Sequence, residues 1–354
     1  MNREPKMIPI DLRSDTVTLP TEAMLDAMRN AKLGDDSRDG DPTVQALEAL
    51  AARRTGKDAA LFLPSGTMAN LVALLAHAQG RGGTALLEAH AHILNSEMGG
   101  IAAVAGLLPV PIAGSRGAMD LESLRAAMKS QLTRNAMHTA VLCMETTHNH
   151  AGGTVLPLEH MAAVHAAARE HRIPVHTDGA RLFNAAVALG VDAERIARHT
   201  DSVAFCISKG LSAPVGSLLA GGTGFVERAR AFRRMVGGNM RQAGMLAAAG
   251  IVALEQMVER LADDHARARE LATGLHRLDA TLVDLQSVET NIVRVDVAAS
   301  GRDAAYWSEQ LAHRGVRVSP AGAHVLRFVT HRHIGADDVE RVAAAFAGAW
   351  RVNR

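Results

Sequence analysis

Between Ala59 and about residue 220, short apolar runs alternate with segments of helical spacing, and this alternation constrains the fold more than any other feature of the chain. The runs at 59–63, 85–87, 139–144, 173–176 and 202–207 hold no acidic or basic residue except His176, so they read as buried strands. Between them Ala and Leu recur at three- and four-residue intervals, as in helices that wrap a mostly parallel sheet. Asp41-Pro42 supplies an N-cap and an N1 proline ahead of Val44, Leu47 and Leu50, and Gly56 ends that helix. Asp120 caps a run through Leu124, and 156–171 has helical spacing ahead of the strand holding Pro174 and Val175.

Past Met240 the pattern reads as one long helix to about Leu278, followed by a strand at 291–297, a helix at 302–313, a strand around 327–330 and a helix at 336–350. The expected organisation is a large α/β domain over 1–250 and, after a linking helix, a small α/β domain over 251–354. With 38 basic against 37 acidic residues and no block of like charge, nucleic acid and anionic membrane are poor partners. Aromatics at 3% offer few platforms for stacking bases. The start MNREPKMIPI lacks the apolar run of a signal peptide, and no stretch approaches the ~20 apolar residues of a membrane span, so a cytoplasmic location is expected. Cys143 and Cys206 each lie in an apolar segment and read as buried thiols, not a bridge.

Open parallel sheets bind ligands beyond the carboxyl ends of their strands. After the run at 59–63 come Pro64, Ser65, Gly66 and Thr67, a hydroxyl-bearing turn opening a helix whose free N–H groups suit a phosphate. After Val175 come His176, Thr177, Asp178, Gly179, Ala180 and Arg181; after Ile207 come Ser208, Lys209 and Gly210. Each feature alone is commonplace: an N-cap, a capping aspartate, a solvated lysine. Asp178 precedes Lys209 by 31 residues, about one strand–helix–strand unit, which sends both to the edge that holds the Ser65–Thr67 turn. Three adjacent strand ends then supply phosphate donors, a carboxylate and an amine. Pyridoxal 5'-phosphate demands this set: a lysine to hold its aldehyde as an imine and a carboxylate to keep its ring nitrogen protonated. An ion pair at ~4 Å with an effective dielectric of ~20 contributes roughly 4 kcal/mol, about three pK units.

These residues lie in segments that resemble the L-threonine aldolases of the β-eliminating lyase family, pyridoxal-phosphate enzymes of fold type I. The matching stretches are IDLRSDTVTLPT, GDD and DPTV around Asp35 and Asp41, LFLPSGTMAN, SEMGG, THN with Gly152 and Gly153, HTDGARLFNA, DSVAFCISKGLSAPVGS, MRQAG and RFVTH. The resemblance implies a fold-type I large domain with a small C-terminal domain and cleavage of Cα–Cβ in an L-β-hydroxy-α-amino acid to glycine and an aldehyde. It implies that Lys209 bears the cofactor, Asp178 pairs with its ring nitrogen, His92 stacks over the ring, and Ser65, Gly66 and Thr67 hold the phosphate. Arg241 corresponds to an arginine that reaches the phosphate of a neighbouring subunit, implying a homodimer or homotetramer with shared sites. Ser14, Arg181 and Arg327 match the partners of the substrate carboxylate, where planar guanidinium groups fix which bond stands perpendicular to the ring.

The sequence departs from the family at several places. The acidic loop has Ser37 and Arg38 in place of a valine and a tyrosine, Asn95 and Ser96 replace an aromatic, and Asn239 replaces a glycine. Arg38 has two readings, a charge partner for a β-substituent that is bulkier or more polar than a methyl and possibly acidic, or a side chain directed to solvent. No histidine aligns clearly ahead of ETTHN, where His138 is the nearest; the acceptor of the substrate's hydroxyl proton stays open among His92, a second histidine and water. His90 and His92 have no ligand-spaced carboxylate or cysteine along the chain, so no metal is expected, and His148 and His150 read as polar strand-end residues. The same cofactor chemistry also permits reaction at Cα–H, as racemisation, transamination or β-elimination. A non-catalytic cofactor-binding protein is the remaining alternative.

Overall fold

The computed structural model describes residues 9–78, 80, 82–130 and 137–352. The chain forms two compact units, one of Leu19–Glu259 and one joining the residues up to Thr18 to Arg260–Arg354. The division falls nine residues beyond the expected boundary at 250, and the N-terminal segment belongs with the C-terminal part.

The larger unit is built on seven strands: β1 (Ala59–Leu63), β2 (Thr84–Glu88), β3 (Leu108–Ile112), β4 (Thr139–Glu145), β5 (Val175–Asp178), β6 (Ser202–Cys206) and β7 (Ser217–Gly221). Their order across the sheet is β1-β7-β6-β5-β4-β2-β3. All neighbouring pairs are parallel except those of β7, which is antiparallel to both β1 and β6. Two strands escape the periodicity argument. β3 (LPVPI) carries two prolines, tolerated because it is an edge strand paired only with β2. β7 (SLLAG) is short and ends in glycine, yet all five residues are buried. It separates β1 from β6, so the three strand ends expected to be adjacent are not all neighbours; two antiparallel pairings in succession still leave β1 pointing the same way as β6.

Around this sheet lie α1 (Glu22–Arg29), α2 (Pro42–Thr55), α3 (Gly66–Ala78), α4 (Leu121–Ser130), α5 (Leu158–Glu170), α6 (Leu182–Leu189), α7 (Thr223–Met235) and α8 (Gly244–Gln256). The long helix expected from Met240 is broken: α8 ends at Gln256 and α9 (Leu261–Leu278) begins after a turn. The two helices bury their residues in different units, Ala247, Ala248, Val252 and Leu254 among others in one and Leu261, Ala268, Leu271 and Leu275 in the other, and no Gly or Pro marks the break.

In the smaller unit β8 (Ile292–Asp296) pairs antiparallel with β9 (Val325–Val329), which also pairs with Ser319–Pro320. α9, α10 (Ala304–Ala312) and α11 (Ala336–Val352) complete it. Both tryptophans sit in its core, where Trp307 stacks on Phe346 with ring centroids 5.4 Å apart and Trp350 lies 5.2 Å from Trp307. Ile10–Asp11 pairs in parallel with Val316–Arg317, which is why the N-terminal segment joins this unit. Cys143 and Cys206 are buried free thiols, as expected. No described helix is long and apolar enough to cross a membrane.

Asp41 does more than cap α2. Its buried carboxylate accepts from Thr43 N at 3.0 Å and Val44 N at 3.1 Å, and also from Gly34 N at 3.1 Å and Gly244 N at 2.9 Å. One anion therefore ties the acidic loop, α2 and the start of α8 together. Gly244 is required there, because a Cβ on it would stand 2.3 Å from Asp41 Oδ1. Asp41→Ala is expected to destabilise the larger unit by about 3–5 kcal/mol, adding a lost cap to lost charged hydrogen bonds. Chemical denaturation checks this, and a loss below ~1 kcal/mol would mean that the four N–H groups find other acceptors.

Candidate active site

The carboxyl ends of the parallel strands put Glu88, Glu145 and Asp178 at one edge of the sheet, with the turn after β1 and Lys209 after β6 on the same side. A cavity of about 200 Å³ opens there, lined by Pro64, Ser65, Gly66, Thr67, Asn70, His92, Glu97, Asp178, Ala180, Cys206, Ser208 and Lys209. A larger cleft of about 780 Å³ beside α2 and α6 has no lysine or hydroxyl in its lining. The turn is tight for a reason: a Cβ on Gly66 would stand 2.8 Å from Cys206 Sγ. Ser65 Oγ accepts from Met68 N at 3.2 Å, so it caps α3, whose first N–H groups have no carbonyl partner within the helix.

Asp178 is 3% exposed and meets two donors, Ala180 N on Oδ1 at 3.0 Å and Asn70 Nδ2 on Oδ2 at 2.9 Å. Asn70 Nδ2 also donates to Glu97 Oε1 at 2.8 Å. His92 Nδ1 lies 3.2 Å from that oxygen and 3.9 Å from Asp178 Oδ2. The backbone N of His92 is fixed separately, donating to Glu145 Oε2 at 2.6 Å. The hydrogen bond to Glu97 holds the His92 imidazole above its ordinary range, against its own burial and with help from the charges of Asp178, Glu97 and Glu145. Burial pushes Glu97 up, opposed by hydrogen bonds from His92 and Asn70, and burial likewise raises Glu145. His92, Glu97 and Asp178 also offer three ligating atoms within 4.8 Å of one another, spacing enough for a cation and invisible along the chain around His90 and His92.

Of the residues singled out in the sequence, Ser65, Gly66, Thr67, His92, Asp178 and Lys209 line this one cavity. Arg181, 6% exposed, starts α6 three residues after Asp178 but is outside the lining. Arg38 and Arg241 are 78% and 64% exposed and lie 3.8 Å and 3.6 Å from Asp35 carboxylate oxygens, also outside it. Ser14 and Arg327 belong to the smaller unit, where Ser14 Oγ accepts from Thr16 N at 3.2 Å and Arg327 Nη2 donates to Arg13 O at 3.1 Å. His138 is exposed and precedes β4, at the end opposite Glu145, so about 20 Å of strand separates it from the site edge. His148 is buried between Glu88 and Glu145, with Nε2 at 3.1 Å and 3.7 Å from their oxygens; His150 is exposed and stacks on His90 at 4.5 Å. Asn70, Glu97 and Glu145 were missed as site residues. Asn70 had one signal, a lone amide in the apolar helix that follows the turn.

The family model for the beta-eliminating lyases matches residues 11–298. The chain belongs to that family. A low-specificity L-threonine aldolase of Escherichia coli K12 is 43% identical over 336 residues, 95% of this chain and 97% of that protein. A probable low-specificity L-threonine aldolase of Arabidopsis thaliana is 42% identical over 342 residues, 95% and 96% of the two chains. The solved threonine aldolase of Leishmania major has the same fold, with a TM-score of 0.81 at 18% identity over 97% of this chain and all of that one.

The residues of this beta-eliminating lyase fit pyridoxal phosphate. A buried carboxylate held by two donors but still lining a cavity suits a protonated ring nitrogen, and a capped helix start suits a phosphate. The His92–Glu97 contact has its own consequence. Because the folded-state pKa is raised, the stabilisation is full below the ordinary 6.5 and is lost as pH rises through the folded midpoint. In the cofactor-free protein, ring NMR of His92 is expected to give a midpoint above 6.5, lowered by Glu97→Gln. A wild-type midpoint at or below 6.5 contradicts this.

Proposed function

We infer that this chain is a pyridoxal-phosphate-dependent lyase that cleaves the Cα–Cβ bond of L-β-hydroxy-α-amino acids of the threonine type, giving glycine and an aldehyde. The observation that carries the reading is the set of lysine, carboxylate and hydroxyl turn in one cavity, in a chain 43% identical to a low-specificity L-threonine aldolase. Pyridoxal phosphate, when bound, supplies an electron sink conjugated to Cα. Lys209 holds the cofactor's aldehyde carbon, Asp178 holds the proton on its ring nitrogen, and Ser65, Gly66 and Thr67 take its phosphate. Of the histidines among the described residues, His92 is the one that lines the cavity; with Nδ1 engaged by Glu97, its Nε2 is assigned the proton of the substrate's hydroxyl. Ser14, Arg181 and Arg327 are assigned to the substrate carboxylate by the family resemblance.

Arg241 belongs to the same proposal as a residue that completes a neighbouring subunit's phosphate site, in a dimer or tetramer. Its exposure here and its contact with Asp35 leave its guanidinium outside this protomer's own cavity, which supports that reading. Mixing inactive Lys209→Ala and Arg241→Ala proteins is then expected to restore some activity through hybrid oligomers, and no recovery after verified subunit exchange counts against shared sites.

Two outcomes test the reaction itself. Threonine should release aldehyde and glycine, with Cα–H exchange slower than cleavage; exchange without aldehyde would favour the Cα–H reading. Asp178→Asn should lower kcat by about a thousandfold, the equivalent of roughly 4 kcal/mol, with a much smaller effect on cofactor binding. Arg38, exposed beside Asp35 as Arg241 is, belongs to the same proposal as a charge partner for a polar or acidic β-substituent: relative to Arg38→Tyr, wild type should favour a β-hydroxy amino acid with a second carboxylate over threonine, and an unchanged preference removes that role.

A further inference from the structure

Behind Asp178 runs a buried chain of hydrogen bonds that the proposed reaction does not use. Asn70 Oδ1 lies 3.1 Å from His176 Nε2, His176 Nδ1 lies 2.9 Å from Ser202 Oγ, and Ser202 Oγ lies 2.7 Å from His77 Nε2. Asn70 is 2% exposed, and His176 and Ser202 are fully buried. The sequence builds this line from two periodicities. Asn70 and His77 are seven apart on α3, two turns and therefore one face; His176 and Asp178 are two apart on β5 and share a face of the sheet.

The direction of every bond can be worked out from the carboxylate end. Asn70 faces two carboxylate oxygens at 2.8 Å and 2.9 Å, so it must present both Nδ2 hydrogens to them; the flipped amide would set its oxygen against two others. Oδ1 then faces His176, and Nε2 of that ring must carry the proton. Burial lowers His176 to about 4 despite the nearby charge of Asp178, so at neutral pH the ring is uncharged and Nδ1 is an acceptor. Ser202 therefore donates to Nδ1 and accepts from Nε2–H of His77, itself neutral because burial lowers it to about 3. The donors all point the same way, toward Asp178 and Glu97, and aligned bonds of this kind reinforce one another.

We propose that Asn70, held in one amide orientation by the Nε2–H tautomer of His176, is a positioning residue that fixes and orients the Asp178 carboxylate for the cofactor's ring nitrogen. The proposal rests on the cofactor reading above. A packing role alone would require only that these polar groups satisfy one another; a positioning role requires that the ring nitrogen register their loss. Removing Asn70 leaves Oδ2 of a buried carboxylate without its side-chain donor and draws the shared proton from the ring nitrogen toward Asp178.

The test is the ¹⁵N chemical shift of the ring nitrogen in holoenzyme loaded with ¹⁵N-labelled pyridoxal phosphate, read with kcat and KM for threonine. Asp178→Asn is the reference and should move the shift to that of an unprotonated ring. If it does not, the cofactor reading fails, whatever Asn70 does. Against that reference, Asn70→Leu and His176→Leu should each move the shift part-way toward the Asp178→Asn value and lower kcat about 10- to 100-fold with little change in KM. His176→Gln, whose amide nitrogen can still donate to Asn70, should hold the wild-type shift. Should Asn70→Leu fail to fold, His176→Leu carries the same test with the amide left in place. Wild-type shifts in the folded leucine variants overturn the proposal and reduce the chain of bonds to packing.

Discussion

A carboxylate buried away from water must be met by donors, and the site edge of the larger unit is organised around that requirement. Asp178, Glu97 and Glu145 are each at most 6% exposed, and each is answered by named hydrogen bonds. Asn70 serves two of them with one amide, while the backbone N–H groups of His92 and Asn149 serve the third. The single helical turn His92–Asn95 is thus pinned at its first residue, by the backbone of His92 to Glu145 on β4 and by its ring to Glu97. The position of His92 follows from the need to satisfy one acid at a strand end, Glu145, and one in the turn that follows His92–Asn95, Glu97.

Much of this could be read along the chain where a residue's role is local. The N-cap at Asp41, the glycine stop at Gly56 and the strand ends bearing Asp178 and Lys209 each depend on a few neighbouring residues, and each stands where expected. What escaped depends on partners far away. β3 hides behind its prolines until its edge position is known, and β7 is recognisable only from the two strands it joins. The break between α8 and α9 reflects which core each helix meets, and nothing in 256–261 announces it. Asn70 reaches Asp178 across 108 residues of sequence.

The departures from the family pattern in the acidic loop have a structural partner. Asn239 Nδ2 donates to Ser37 Oγ, and Arg233, 1% exposed, donates to Asn239 Oδ1 at 2.9 Å and to Asp36 Oδ2 at 2.6 Å. Ser37 and Asn239 are therefore two halves of one contact that fastens the loop to the segment after α7. A buried guanidinium anchors the pair, with Phe62 O as a further acceptor at 2.8 Å. Two departures that lie 202 residues apart in the chain thus form one brace, and neither lines the cavity.

Lys209 sits in the connection from β6 to β7, two fully buried strands in the interior of the sheet. That connection is closed by Ile207 N to Gly216 O at 3.1 Å and folded on itself by Ser212 N to Lys209 O at 2.8 Å. The ladder between the strands on either side of it, from Cys206 opposite Ser217 to Ser202 opposite Gly221, fixes where the connection starts and ends. The Lys209 side chain therefore inherits its place at the site edge from the pairing of two interior strands.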